Sequence, residues 1–156
     1  GLQALSAGRM MAPSPVPLSS GRYAALRLTP GEDPMAALRD LQRQTGAQAM
    51  AMVTCVGSLT HAMIRHANQS EGTEYRGHYE ITSLVGTIDR DAEHLHLTIA
   101  DPDGQAFGGH LLAGSSVYTT AEIVVLILDG LIFSRAPCPY SGYDELVVKE
   151  SGAETP

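Results

Sequence analysis

Lysine is almost missing from this 156-residue chain: Lys149 is the only one, and the nine arginines are scattered. Acids outnumber bases 17 to 10, for a net charge of −7. Non-specific affinity for nucleic acid comes from clustered Lys and Arg, so binding through bulk charge is not the expected role. A Walker-type phosphate loop is excluded as well, because the one Lys stands near the end of the chain. Cysteine is scarce. Cys55 and Cys138 lie far apart and make neither a disulfide framework nor a thiolate metal site. No uninterrupted apolar run reaches the roughly 18 residues of a membrane-spanning helix. What remains is 44% apolar residues, enough for a real core in one domain. The composition points to a soluble protein of a reducing compartment, with the cytoplasm as the expected location.

Residues 1–21 read as an extended tail, since Pro13, Pro15 and Pro17 alternate and interrupt any apolar run. Residues 149–156 are expected to fray, leaving one domain over 22–148. Within it, Arg22 to Leu28 alternates as a strand. Asp33-Pro34 then places an N-cap acid before Pro at the first helical position, and Met35, Leu38 and Leu41 form the stripe of a helix ending at Gly46. Ala47 to Val56 and His61 to Ala67 read as two separate strands, and Asn68 to Gly77 as a loop. Four more strands follow: 77–87, 93–100, 105–112 and 119–133. The fold class is α+β: a mostly antiparallel sheet, one clear helix, and room for a second short one near Leu111 to Ser115.

The histidines carry the chemistry. His94 and His96 are two apart in a strand where Leu95, Leu97 and Ile99 alternate with them, so both imidazoles share the face opposite the core. The next residues, Asp101-Pro-Asp-Gly104, fit a type I turn with Gly at the left-handed position, a three-residue hairpin loop. That loop sets Asp101 against Gln105 and therefore His96 against His110. Directly opposed residues share a face with Cβ atoms about 4.5–5.5 Å apart, so one hairpin converges three imidazoles. Three neutral imidazoles suit Zn²⁺ at about 2.0–2.1 Å with a fourth position free, although they also suit nickel, copper and iron. Gly108 and Gly109, just before His110, leave room for backbone or ligand. They can equally host a bulge that turns His110 away, and three sheet-face histidines can simply bond to one another or to solvent. His61, His66 and His78 have no such geometry, though His78 is a supporting candidate.

The segments Gly77-His-Tyr-Glu-Ile-Thr-Ser-Leu-Val-Gly86, His94-Leu-His96, Gly108-Gly-His-Leu-Leu-Ala-Gly114 and Tyr118-Thr-Thr-Ala-Glu122 together resemble the plant and prokaryote conserved (PPC) domain. So do Leu26-Arg-Leu-Thr-Pro-Gly-Glu-Asp33, Gly57-Ser-Leu59, Phe133-Ser-Arg135 and Ser141-Gly-Tyr-Asp-Glu-Leu146. The resemblance covers about residues 22–148. It implies an α+β domain on an antiparallel sheet, a homotrimer, and a metal site at His94, His96 and His110. Plant members follow AT-hooks that bind A·T-rich minor grooves, and stand-alone prokaryotic members are called DNA-binding by association. This chain has no Arg-Gly-Arg-Pro hook; Gly21-Arg22-Tyr23 is its nearest string.

Glu80, Glu122 and Asp101 are the carboxylates nearest the histidine segments in sequence and the candidates for a general base or a supporting role, with solvated or salt-bridged residues as the plainer reading. Cys55 reads as a buried thiol, Cys138 as a loop residue, and Ser58 as a turn residue. Arg27 and Arg65 are candidate anion binders or salt-bridge formers. The expected function is a trimeric ligand- or partner-binding regulatory module with a zinc site and a small-molecule ligand at the metal. A metal-dependent enzyme acting on a small polar molecule and a DNA-binding regulator are the alternatives.

Overall fold

The computed structural model describes residues 15–152. The first fourteen residues of the expected N-terminal tail, and residues 153–156 of the other tail, lie outside it. The elements run β1 (Gly21–Leu28), α1 (Pro34–Thr45), β2 (Met50–Arg65), β3 (Thr73–Ile88), β4 (Glu93–Ala100), β5 (Ala106–Leu111), β6 (Ser116–Leu128), β7 (Leu131–Pro137) and β8 (Asp144–Glu150). All strand pairs are antiparallel. Six strands form one sheet in the order β1-β6-β2-β3-β4-β5, and β7 and β8 form a separate ribbon. The fold class is α+β, with a single helix among the described residues.

The helix forms where its caps place it. The Asp33 carboxylate accepts from the Met35 amide at 3.0 Å, Pro34 opens the first turn, and Gly46 closes the last in the left-handed region at φ 63°. The second Asp33 oxygen accepts from the Gly114 amide at 2.9 Å, tying the helix start to the segment between β5 and β6. Met35 and Leu38 enter the core. Buried Gln42 donates to the Ala47 carbonyl at 2.9 Å, which fixes the turn into β2. No second helix forms at Leu111 to Ser115. Leu111 ends β5, and the Leu112 amide donates to the Met63 carbonyl instead.

Two other expectations change. The strands expected at 47–56 and 61–67 are one sixteen-residue strand, β2. Its register shifts near Leu59–His61 against both neighbours, so bulges absorb what the sequence presents as a break at Gly57-Ser58. The segment expected as one strand over 119–133 turns at Asp129-Gly130, and β7 leaves the main sheet. β3 begins at Thr73, inside the expected loop.

β2 positions the site. Along Met50–His61 it pairs with β6, and at Ile64 and Arg65 it pairs with β5. β2, β3, β4 and β5 therefore close on themselves around Ile64, Leu95, Leu97, Ile99 and Leu111, each at most 2% exposed. The alternate residues of β4 point outward, which is where its histidines go.

Candidate metal centre

The hairpin turn forms as its residues dictate. The Asp101 carboxylate accepts from the Asp103 and Gln105 amides at 2.9 Å each, the Gly104 amide donates to the Asp101 carbonyl at 2.9 Å, and Gly104 sits at φ 79°. Asp101 is thus consumed by the turn. The register follows without slippage: Ala100 faces Ala106, Leu97 faces Gly109, and His96 faces His110. Gly108 and Gly109 admit backbone. A Cβ on Gly108 would lie 2.1 Å from the Leu97 carbonyl oxygen, and one on Gly109 would lie 2.6 Å from that of Arg65. Only glycine lets β5 fit between β2 and β4 at these positions.

His94, His96 and His110 come together. One ring nitrogen of each lies within 4.8 Å of the others, and ring centroids are 5.0 Å apart for His94–His96, 5.3 Å for His94–His110 and 5.8 Å for His96–His110. Small side-chain rotations close this spread to the nitrogen spacing of about 3.4 Å that a tetrahedral ion at about 2.0–2.1 Å requires. His94 and His96 are exposed and His110 half-buried, so the cluster opens to solvent. Three neutral donors on a rigid strand pair fit a divalent transition metal. Although exposed, the His94 ring is partly desolvated by its neighbours, and this first, then His96, Arg135 and Arg65, holds its pKa below the ordinary value, with Glu145 opposing. Burial also lowers His110, followed by Arg65 and the other two imidazoles, with Glu93 opposing. Both shifts favour the neutral, metal-binding form.

The other candidates are elsewhere. Glu80 pairs with Ala100, four positions along β4 from His96, about 13 Å at strand rise. Glu122 lies opposite Arg27 and Val56, on strands that do not carry the histidines. His78 packs on Tyr118 with ring centroids 4.6 Å apart, and His61 bonds to the Thr60 hydroxyl. Ser58 bonds to the Thr119 hydroxyl within the sheet. Arg65 does reach the site, directly opposite His110. Burial pushes the Cys55 thiol up to about 11, in keeping with an inert core residue.

His66 has a role its sequence position does not reveal. Its Nδ1 lies 3.0 Å from the Gly108 carbonyl, which can only accept, so Nδ1 carries the proton. In the neutral ring Nε2 then accepts from the Tyr75 hydroxyl at 2.5 Å. This bridge pins β5 two residues before His110. No local signal announces it, because His66, just past the end of β2, finds its partners on β3 and β5.

Fold and cluster together define a small antiparallel-sheet module with three histidines gathered on one hairpin. The chain belongs to the Plants and Prokaryotes Conserved (PCC) domain family, whose model matches residues 17–129. It is 42% identical over 151 residues to the bifunctional protein GlmU of Synechococcus sp. (strain JA-3-3Ab), covering 97% of this chain but 24% of that protein. The chain thus spans about a quarter of the length of the curated relatives it matches. A Salmonella enterica protein described as hypothetical superposes with a TM-score of 0.84 at 42% identity, covering 85% of this chain and 96% of that one. A protein of Archaeoglobus fulgidus, named a metal-containing protein, superposes with a TM-score of 0.71 at 25% identity, covering 86% and 99%.

Proposed function

We propose that this chain is a trimeric ligand-binding regulatory module built around a zinc ion held by His94, His96 and His110. The observation that carries the reading is the convergence of three imidazole nitrogens within 4.8 Å on one strand pair. The Archaeoglobus relative, named for its metal, supports it. Zinc is the first choice because three neutral imidazoles with an open position make a common zinc donor set. When bound, the ion supplies a Lewis-acidic fourth position. The protein's own residues hold the imidazoles: the turn at Asp101–Gly104 sets the register, and His66 fixes the β5 backbone. Metal analysis of the purified protein tests this. About one zinc per chain, lost in His110→Ala, supports the reading; a wild type that stays metal-free after reconstitution with zinc refutes it.

The trimer rests on the sheet's outer face. Tyr23, Val53, Val56, Val85 and Tyr118 are between 44% and 70% exposed, and a shallow, mostly apolar groove of about 350 Å³ runs beside Val56, Val124 and Ala25. Partner subunits are a natural cover for such a face. A reducing, cytoplasmic setting fits two cysteines that remain free thiols.

A metal-dependent enzyme is the second reading, favoured by the solvent exposure of the cluster: a zinc ion held by these three histidines would have room for a water or substrate ligand, as catalytic zinc does. DNA binding runs against the net charge of −7.

A further inference from the structure

The inference deepens the metal reading above and rests on it. Three neutral imidazoles leave a bound divalent ion its full charge, unlike thiolate or carboxylate ligands. Positive protein groups stand around it. On the β2–β5 pair, Ile64 and Leu111 are opposed and buried in the core, at 0% and 2% exposure. The next opposed pair, Arg65 and His110, therefore projects to the other face, the face of the cluster. Arg135, on β7, is close enough that its charge, with that of Arg65, bears on His94.

Neither guanidinium is spoken for. Among the described residues the ion pairs engage Arg22, Arg39, Arg43 and Arg76, and no side-chain hydrogen bond from Arg65 or Arg135 is made. Both residues are half-buried. The carboxylates that also bear on the cluster are Glu93 and Glu145. Glu93 is paired with Arg39, whereas Glu145 accepts only from the neutral Ser141 hydroxyl at 2.9 Å, keeps its charge and partly offsets Arg135 on the His94 side. In a chain so short of bases, two free arginines beside one cluster make an environment for an anion. A guanidinium presents a planar fork that matches two oxygens of one carboxylate or phosphate.

We infer that the site binds a small-molecule oxyanion, a carboxylate or phosphate, with one oxygen on the metal's fourth position and another on the Arg65 guanidinium. Arg135 adds to the positive field on the His94 side. Neutral polyols lack the charge that this environment rewards.

Cobalt(II) in place of zinc makes the site visible. The cobalt-loaded wild-type protein is titrated at pH 7.5 with acetate, with inorganic phosphate and with glycerol. The visible bands are expected to shift with acetate or phosphate and not with glycerol. Arg65→Gln is expected to keep the cobalt bands and one metal per chain, yet to need about tenfold more anion, the loss of one charge-assisted contact. Arg65→Lys, which keeps the charge without the fork, falls between. Bands that ignore both anions, or that respond equally in wild type and Arg65→Gln, overturn the clamp while leaving the metal site standing. Absence of cobalt bands from the wild type defeats the three-histidine reading itself, and the clamp with it.

Discussion

His96 and His110 face each other across β4 and β5, ring centroids 5.8 Å apart, on the side of the strand pair opposite Leu95 and Leu97. The site and the core are thus two faces of the same hairpin and can be altered separately. His96→Ala is expected to lower zinc affinity by at least tenfold by equilibrium dialysis, with little change in thermal unfolding of the metal-free protein. Leu97→Ala should do the reverse at first: a loss of about 2–5 kcal/mol in denaturant unfolding, from a side chain 2% exposed.

Acid should act in a defined direction. His94 and His110 have folded-state pKa values below the ordinary 6.5. The folded metal-free state therefore binds fewer protons than the unfolded chain as pH falls past that value. The stability tied to the neutral rings is present above pH 6.5 and is lost as pH falls through the lowered folded values. Zinc occupancy should likewise persist somewhat below 6.5 and then fall. Thermal melts of the metal-free protein and zinc content, both followed from pH 8 to 5, check this; stability rising on acidification contradicts it.

Gly108→Ala is expected to damage fold and site together. Its Cβ meets the Leu97 carbonyl at 2.1 Å and the Thr98 Cα at 2.9 Å, backbone atoms that no rotamer change relieves. A loss of about 1–3 kcal/mol is expected, with zinc affinity falling as β5 is pushed from β4 and His110 moves off register. Chemical denaturation and dialysis read the two effects.

The proposed trimer predicts a mass by light scattering of three times the 16.5 kDa of one chain. Val56→Asp, at a position 53% exposed, should be nearly silent in an isolated subunit and should dissociate an assembly that covers it. A wild-type monomer at micromolar concentration removes the proposal.

The hairpin at 93–111 was legible because its information is local. Alternation in β4, the Asp101–Gly104 turn and simple counting bring His96 opposite His110. The helix was legible for the same reason, through Asp33-Pro34 and Gly46. What sequence reading missed depends on non-local pairing. Gly57-Ser58 reads as punctuation, yet neighbours on both sides carry β2 through it. The turn at Asp129-Gly130 is the exception: it is a local Asp-Gly signal, passed over because apolar residues flank it on both sides. Arg65 and His66 take their places only because β2, after leaving β6, finds β5.

That double engagement of β2 also sets how the molecule opens. β3 holds one edge of the strand, while the other edge passes from β6 to β5. Its paired amides reach solvent only when neighbouring strands part, whereas the β7–β8 ribbon can unzip by itself. Hydrogen exchange should therefore be graded: slowest in β2, fastest in the ribbon, with β5 between them. A metal that bridges β4 and β5 would slow exchange in β5 first and leave the ribbon's rate unchanged.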